Sequence, residues 1–222
     1  GEGRLSLTRY RTGDPVFSYL VRVEPRTNEL KWIENFNFYT YRMEENRMLE
    51  LVYPPLKEQT DQVQAYVQAD FSEIERVLFA QENQKGEHAW KDLIDMNSFA
   101  DYYIIEEFLA ITDAFSASTY FYKDAKGTLC IGPVWDFNNV LDNFFQPMPD
   151  DALILEKRGW YGQMMRDEEF VELVIRRYRA LRQGVLSEEN LIAYVHEVWG
   201  WLGSAIERNE TVWGYSYDPE AV

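Results

Sequence analysis

Apolar and polar positions alternate through the N-terminal part of the chain. The alternation is visible at Leu5 and Leu7 and again at Tyr19, Val21 and Val23, and turn-forming residues such as those at 13–15 and 27–29 interrupt it. A period of two with breaks of this kind predicts short antiparallel strands joined by turns between residues 4 and 53. This part of the chain is therefore predicted to be mostly β.

The spacing of apolar positions changes to three and four after Pro54 and Pro55. It predicts an amphipathic helix over 63–78, a second that starts after 95–97 and stops near 111–112, and two more that begin at Asp167 and Ser187. Between them, 118–122 and 128–131 flank a turn with Gly127 and predict a β-hairpin. The class is α+β, with a β-rich segment at 1–57 and a mainly helical lobe at 58–222.

Composition narrows the classes of protein that the chain can represent. Hydrophobic residues make up 46% and aromatic residues 16% of 222 residues, which excludes a disordered chain. A net charge of -16 without a basic cluster argues against nucleic acid as a partner. No stretch is apolar for the roughly 18 to 20 residues of a membrane span. The lone cysteine, Cys130, excludes an internal disulfide framework and a cysteine-based zinc site.

Two aspartates occupy positions that suggest chemistry. Asp113 follows the second predicted helix, and Asp136, itself followed by Phe137, comes after the predicted hairpin. Protein kinases have the same order of elements, in which the first Asp orients or accepts the proton of the attacking hydroxyl and the second binds Mg²⁺. A polar residue after the first Asp helps to hold the metal in that scheme, and Ser118 is in a comparable position here.

The stretch 98–143 resembles the core signature of the CotH kinase family, which is named for a spore coat protein. Residues 51–54 and the helix around 64–67 are also similar to that family. The resemblance implies an atypical protein-kinase-like fold and transfer of phosphate from ATP, with Mg²⁺ or Mn²⁺, to a protein hydroxyl. It implies Asp113 as the catalytic residue, Asp136 and Asn138 as metal ligands, and Ser118 and Asn138 as cofactor-binding residues. Family members are bacterial proteins that are secreted or lie at the cell surface, so a protein substrate is expected.

The sequence departs from the family pattern in three ways. Ser116 stands where a basic residue is common, and Asp142-Asn143 replaces a short Gly-Asn pair. No Gly-rich loop precedes Asp113, and the only lysines before residue 58 are Lys31 and Lys57. We therefore expect the Lys and its acidic partner that clamp the nucleotide to belong to an upstream lobe, and this stretch alone to phosphorylate poorly.

The alternative function is a noncatalytic surface or scaffold domain that binds protein or carbohydrate. The tryptophans at 160, 199, 201 and 213 belong to the core or to the edge of a groove, or they form a platform on which sugars stack. Glu106 and Glu107 could form a glycosidase pair with Asp113, although a solvated helix face is the simpler interpretation. His88 and His196 are too far apart in sequence to suggest a metal site.

Overall fold

The computed structural model describes residues 5–25, 32–33, 47–80, 89–140 and 153–213. The chain divides into two compact units, residues 1–175 and 176–222. In the described residues the first unit contains the β-sheet, four α-helices and the first half of a fifth. The second unit contains the end of that helix and two more helices.

The sheet of the first unit is antiparallel and has strand order β2-β3-β1-β4-β5. In the described residues its strands are β1 Tyr19–Pro25, β2 Trp32–Ile33, β3 Arg47–Tyr53, β4 Thr119–Lys123 and β5 Cys130–Ile131. Val21 pairs with Leu51 on one side and with Phe121 on the other, and all three are buried. The period-two pattern of the sequence thus corresponds to one buried sheet face, and the predicted β4–β5 hairpin is confirmed.

The described helices are α1 Asp61–Leu78, α2 Trp90–Leu93, α3 Met96–Phe108, α4 Tyr161–Met164, α5 Glu168–Arg182, α6 Glu188–Leu202 and α7 Ala205–Trp213. Side-chain caps fix several of their starts. Asp95 accepts a hydrogen bond from the Ser98 amide at 2.8 Å, and Ser187 accepts one from the Asn190 amide at 3.3 Å. The four helices predicted from apolar spacing are confirmed as α1, α3, α5 and α6.

An aromatic cluster forms the core between the sheet, α1 and α3. Its members, each at most 3% exposed, are Phe71, Phe99, Phe115, Phe121, Trp160 and Tyr161. The polar atoms of the last two are paired, since Trp160 donates to Glu75 at 2.9 Å and Tyr161 donates to the Phe99 carbonyl at 2.7 Å. Burial of each ring contributes about 2 to 3 kcal/mol, so the segment around 160 is fixed firmly to the core.

The predicted strand at Leu5 and Leu7 is wrong, because residues 5–10 do not form a strand in the structure. The amide of Thr8 instead donates to the carboxylate of Asp124 at 2.8 Å, and Ser18 donates to the same carboxylate. The Asp124 side chain, in the turn between β4 and β5, therefore accepts the hydrogen bond that a neighbouring strand would otherwise accept from Thr8. The aromatic run at 36–39, also predicted as β, lies outside the described residues.

The predicted boundary at residue 57 stays a prediction. Strands β1 and β3 precede that boundary and β4 follows it, yet all three are neighbours in one sheet.

Among the tryptophans, Trp160 is a core residue of the first unit. In the second unit Trp199, Trp201 and Trp213 are 64%, 83% and 67% exposed.

Candidate functional site

Asp113 lies in a tight turn between α3 and β4. Its carbonyl accepts hydrogen bonds from the amides of Ser116 at 2.9 Å and Ala117 at 3.0 Å. Phe115 and Ser118 have backbone φ angles of 63° and 50°, values that residues other than Gly seldom adopt. Thr119 stabilises this conformation, since its hydroxyl accepts from the Phe115 amide at 3.0 Å and donates to the Ala117 carbonyl at 2.8 Å. Backbone strain is thus concentrated around Asp113, as is common at functional sites.

Asp136 follows β5 and starts a short 3-10 helix, Phe137–Asn139. Its backbone is left-handed, with φ of 64°, and its side chain is exposed. The preceding residue, Trp135, is 60% exposed and contacts the ring of Tyr120 on β4, with ring centroids 6.5 Å apart. The amide of Gly132 donates to the Tyr120 carbonyl at 2.7 Å, which returns the chain toward the start of β4 and the Asp113 turn.

The electrostatics of Asp113 show that the two aspartates interact. Burial is the main cause of the raised pKa of Asp113, and the negative charge of Asp136 raises this pKa further. Hydrogen bonds from its own backbone and from the Ser118 hydroxyl, and the positive charge of Arg158, act in the opposite direction. The structure thus brings Asp113, Ser118 and Asp136 together, and Asn138 follows in the 3-10 turn.

The donor set fits a divalent metal in part. Oδ1 of Asp113 is buried and has no hydrogen-bond partner, which leaves one oxygen for a ligand. Asp136 and the exposed Asn138 add carboxylate and amide oxygens, which Mg²⁺ and Mn²⁺ accept. Within the described ranges no cluster of three or more His, Cys, Asp or Glu side chains could hold a metal. The arrangement therefore suits a metal that keeps water and phosphate oxygens as its other ligands.

Glu106 contradicts the interpretation of a solvated helix face. Its side chain is 3% exposed, and burial, followed by the charge of Asp113, raises its pKa to about 8. Glu107 is not solvated either, because its carboxylate accepts hydrogen bonds from the amides of Ile154 at 2.8 Å and Leu155 at 2.5 Å. Glu107 therefore has a structural role at the end of α3, which argues against Glu107 as a member of a glycosidase pair.

Arg158 is a residue of the site that sequence reasoning missed. Its Nη1 donates to the carbonyls of Thr112 at 2.8 Å and Ala114 at 2.9 Å, on either side of Asp113. Gly159 follows with φ of 49°, and a Cβ at that position would lie 2.3 Å from the ring of Phe115. Residues 153–160 thus pack directly against the Asp113 turn. No periodicity or local motif in the sequence indicates this contact.

A cavity of about 630 Å³ lies between α3 and the β4–β5 hairpin. It is lined by side chains that include Asp101, Tyr102, Tyr122 and Val134, the last only two residues before Asp136. Its volume is within the range of small-molecule sites. On β1 of the same sheet, Arg22 pairs with Glu50 of β3 and lies opposite Tyr120 of β4. Sequence reasoning missed both features, since each depends on strand pairing.

A comparison with models of known protein families identifies the family to which the chain belongs. The family model described as CotH kinase protein matches residues 17–220, nearly the whole chain. The chain belongs to the CotH kinase family. This confirms the resemblance inferred from residues 98–143. No curated protein and no solved structure matches the chain significantly.

Proposed function

We propose that this CotH-family chain is a kinase-like domain that transfers the γ-phosphoryl group of ATP to a protein hydroxyl. The observation that carries the proposal is the interaction of Asp113 with Asp136, together with the unpaired, buried Oδ1 of Asp113. Two carboxylates within a family signature are the arrangement expected for proton transfer and metal binding in phosphoryl transfer. Within this proposal the fold is an atypical kinase fold.

Asp113 acts as the base in this proposal. It accepts the proton of the acceptor hydroxyl while the new oxygen–phosphorus bond forms and the bond to the ADP oxygen breaks. Burial suits it for this role because a raised pKa makes the carboxylate a better proton acceptor. Ser118 orients the carboxylate by hydrogen bonding, and Arg158 fixes the turn that carries it.

Asp136 and Asn138 are the proposed metal ligands, and Ser118 and Asn138 are the proposed contacts to the cofactor. When bound, Mg²⁺ or Mn²⁺ neutralises charge on the phosphates of ATP. The left-handed backbone at Asp136 places this exposed carboxylate at the start of the 3-10 turn that also contains Asn138. That this stretch has no Lys to clamp the nucleotide stays a prediction. Arg22 of β1, which lies opposite Tyr120 of β4, is a cation on the same sheet.

The family also suggests where the protein acts. We propose that it is a secreted or cell-surface bacterial protein whose substrate is another protein. Among the described residues, no helix is both long and apolar enough to cross a membrane.

Transfer of radiolabel from γ-labelled ATP to the chain itself or to an acceptor protein tests the activity. We expect slow transfer that depends on Mn²⁺ or Mg²⁺ and is abolished by Asp113→Asn, while Asp61→Asn, an exposed position in the first turn of α1, leaves it unchanged. Transfer that survives Asp113→Asn would contradict the role of Asp113 as the base. Transfer at ordinary kinase rates would instead contradict the predicted absence of a clamp.

The second candidate function is a noncatalytic domain that binds protein or carbohydrate. It is favoured by the exposure of Trp199, Trp201 and Trp213 in the second unit. Sugar rings stack on exposed indoles, so saturable binding of a polysaccharide that is lost in Trp201→Ala, without any label transfer, would favour this candidate over the kinase.

A further inference from the structure

A second cavity of the first unit, about 410 Å³ in volume, has a strongly cationic lining. Its walls include three cations, Lys157, Arg158 and Arg166, the amide of Gln163, and two glycines, Gly159 and Gly162. No Asp or Glu is among its described lining residues. The chain has 38 acidic and 22 basic residues, yet every charged residue among the described lining of this cavity is basic. Such a cavity attracts anions.

The hydrogen bonds within this cavity leave its positive charge largely in place. Arg158 donates to two carbonyl oxygens, and Arg166 donates to the amide oxygen of Gln163 at 3.3 Å. These acceptors are neutral. The nearby carboxylates with which Arg158 interacts are Glu107 and Asp113. Glu107 also accepts hydrogen bonds from two backbone amides, and Asp113 lies in the turn whose carbonyls Arg158 contacts.

The geometry points to an anion site for phosphate or a phosphomonoester in this cavity. Guanidinium groups bind phosphate through two parallel hydrogen bonds, and an ammonium group adds a mobile point charge. Gly162 allows the backbone to pack closely beside the cavity, since a Cβ there would approach the Lys157 carbonyl oxygen to 3.3 Å. The anion is either free phosphate or the phosphate of a phosphorylated serine.

This site differs from the proposed metal site, although Arg158 joins the two. One edge of its guanidinium holds the carbonyls beside Asp113, and the group has five N–H donors in total. Among the described residues, both hydrogen bonds from Arg158 to the turn are made by Nη1, so the N–H groups of Nε and Nη2 do not contact the turn. An anion bound there fixes Arg158, and through Arg158 it restricts the Asp113 turn.

Calorimetric titration of the full chain with inorganic phosphate tests the site. The titration is done in EDTA at constant ionic strength, so that no divalent metal supports binding at Asp136. The test variant is Lys157→Gln with Arg166→Gln, which removes two exposed cations and retains the contact between Arg158 and the turn. The matched control is Arg176→Gln with Arg179→Gln, which makes the same change in charge at exposed positions of α5.

We expect one-to-one saturable binding that weakens at least fivefold in the test variant and less than twofold in the control. A second titration, with a phosphoserine peptide, distinguishes the sources: tighter binding than inorganic phosphate identifies a phosphorylated chain as the ligand, and equal binding identifies the free ion. Unsaturable binding, or equal weakening in test and control variants, overturns the proposal.

Two further measurements keep the test decisive. Melting temperatures without phosphate show whether the test variant folds, and the single variants Lys157→Gln and Arg166→Gln replace it if it does not. Phosphate binding that requires added Mn²⁺ and is absent in EDTA would assign the anion to the metal site instead. Because no ATP is present, phosphate binding can fail while the kinase proposal stands, and the reverse also holds.

Discussion

Replacement of Glu106 by Gln should stabilise the protein at neutral and alkaline pH. Glu106 is buried at 3% exposure, and its pKa of about 8 lies far above its ordinary value of 4.5. Between these two pH values the folded state holds a proton that the unfolded state releases, so stability falls as the pH rises through this window. Gln keeps an oxygen that can accept a hydrogen bond from Tyr102 but has no charge to bury.

The magnitude follows from the separation of the two pKa values. A folded pKa of about 8 against 4.5 corresponds to a penalty of about 3 kcal/mol at pH 7 and a ceiling of about 5 kcal/mol above pH 8. The penalty is close to zero at pH 4, where Glu106 is protonated in both states. The benefit of Glu106→Gln should therefore grow with pH.

Urea unfolding of both proteins at pH 4, 7 and 8.5, followed by far-UV circular dichroism, measures this difference. Glu172→Gln, at an exposed position of α5, is the control and should show a small difference at every pH. A difference for Glu106→Gln that does not vary with pH, or a loss of stability at pH 8.5, would refute the argument that Glu106 is buried next to a like charge.

Two further variants test other parts of the account. Hydrogen bonds from Ser18 and Thr8 lower the pKa of Asp124 to about 2, so its contribution is present above about pH 4 and is lost as the pH falls through 2. Asp124→Asn should reduce the free energy of unfolding by about 1 kcal/mol at pH 7, after allowance for solvent screening, and the reduction should vanish in urea titrations near pH 2. Gly159→Ala should destabilise by about 2 to 4 kcal/mol in thermal melts, because of positive φ and the clash with Phe115. Gly200→Ala, where the added Cβ meets nothing, should be neutral or stabilising, and an equal effect of both would contradict the clash.

The elements that the sequence predicted correctly are those with a local signal. Helix α1 presents Val63, Val67 and Phe71 to the core at helical spacing, and the β4–β5 hairpin has its glycine turn. The order helix, turn and hairpin also places Asp113 and Asp136 at the same end of the hairpin, because a hairpin returns the chain to its starting end.

The features that the sequence did not reveal depend on contacts between distant segments. Helix α3 has no purely polar face, since its buried positions are Phe99, Ala100, Tyr102, Tyr103, Ile104 and Glu106. The adjacent Glu106 and Glu107 were therefore predicted to face solvent, whereas the fold buries Glu106 and supplies backbone amide donors to Glu107. Arg158 and Gly159 have no local pattern, and their roles appear only when residues 153–160 pack against the Asp113 turn.

Binding of Mn²⁺ with a nonhydrolysable ATP analogue, measured by calorimetry, tests most directly whether Asp136 belongs to a metal and nucleotide site. Asp136→Asn is the informative variant, because Asn tolerates the left-handed backbone at φ of 64° and removes only the charge. We expect Asp136→Asn to weaken binding of the metal–nucleotide complex at least tenfold without a change in melting temperature, and Asp61→Asn to bind as the unmodified chain does. Equal affinity in Asp136→Asn, or a collapse of its melting temperature with unchanged affinity, would contradict the assignment and make Asp136 a structural residue.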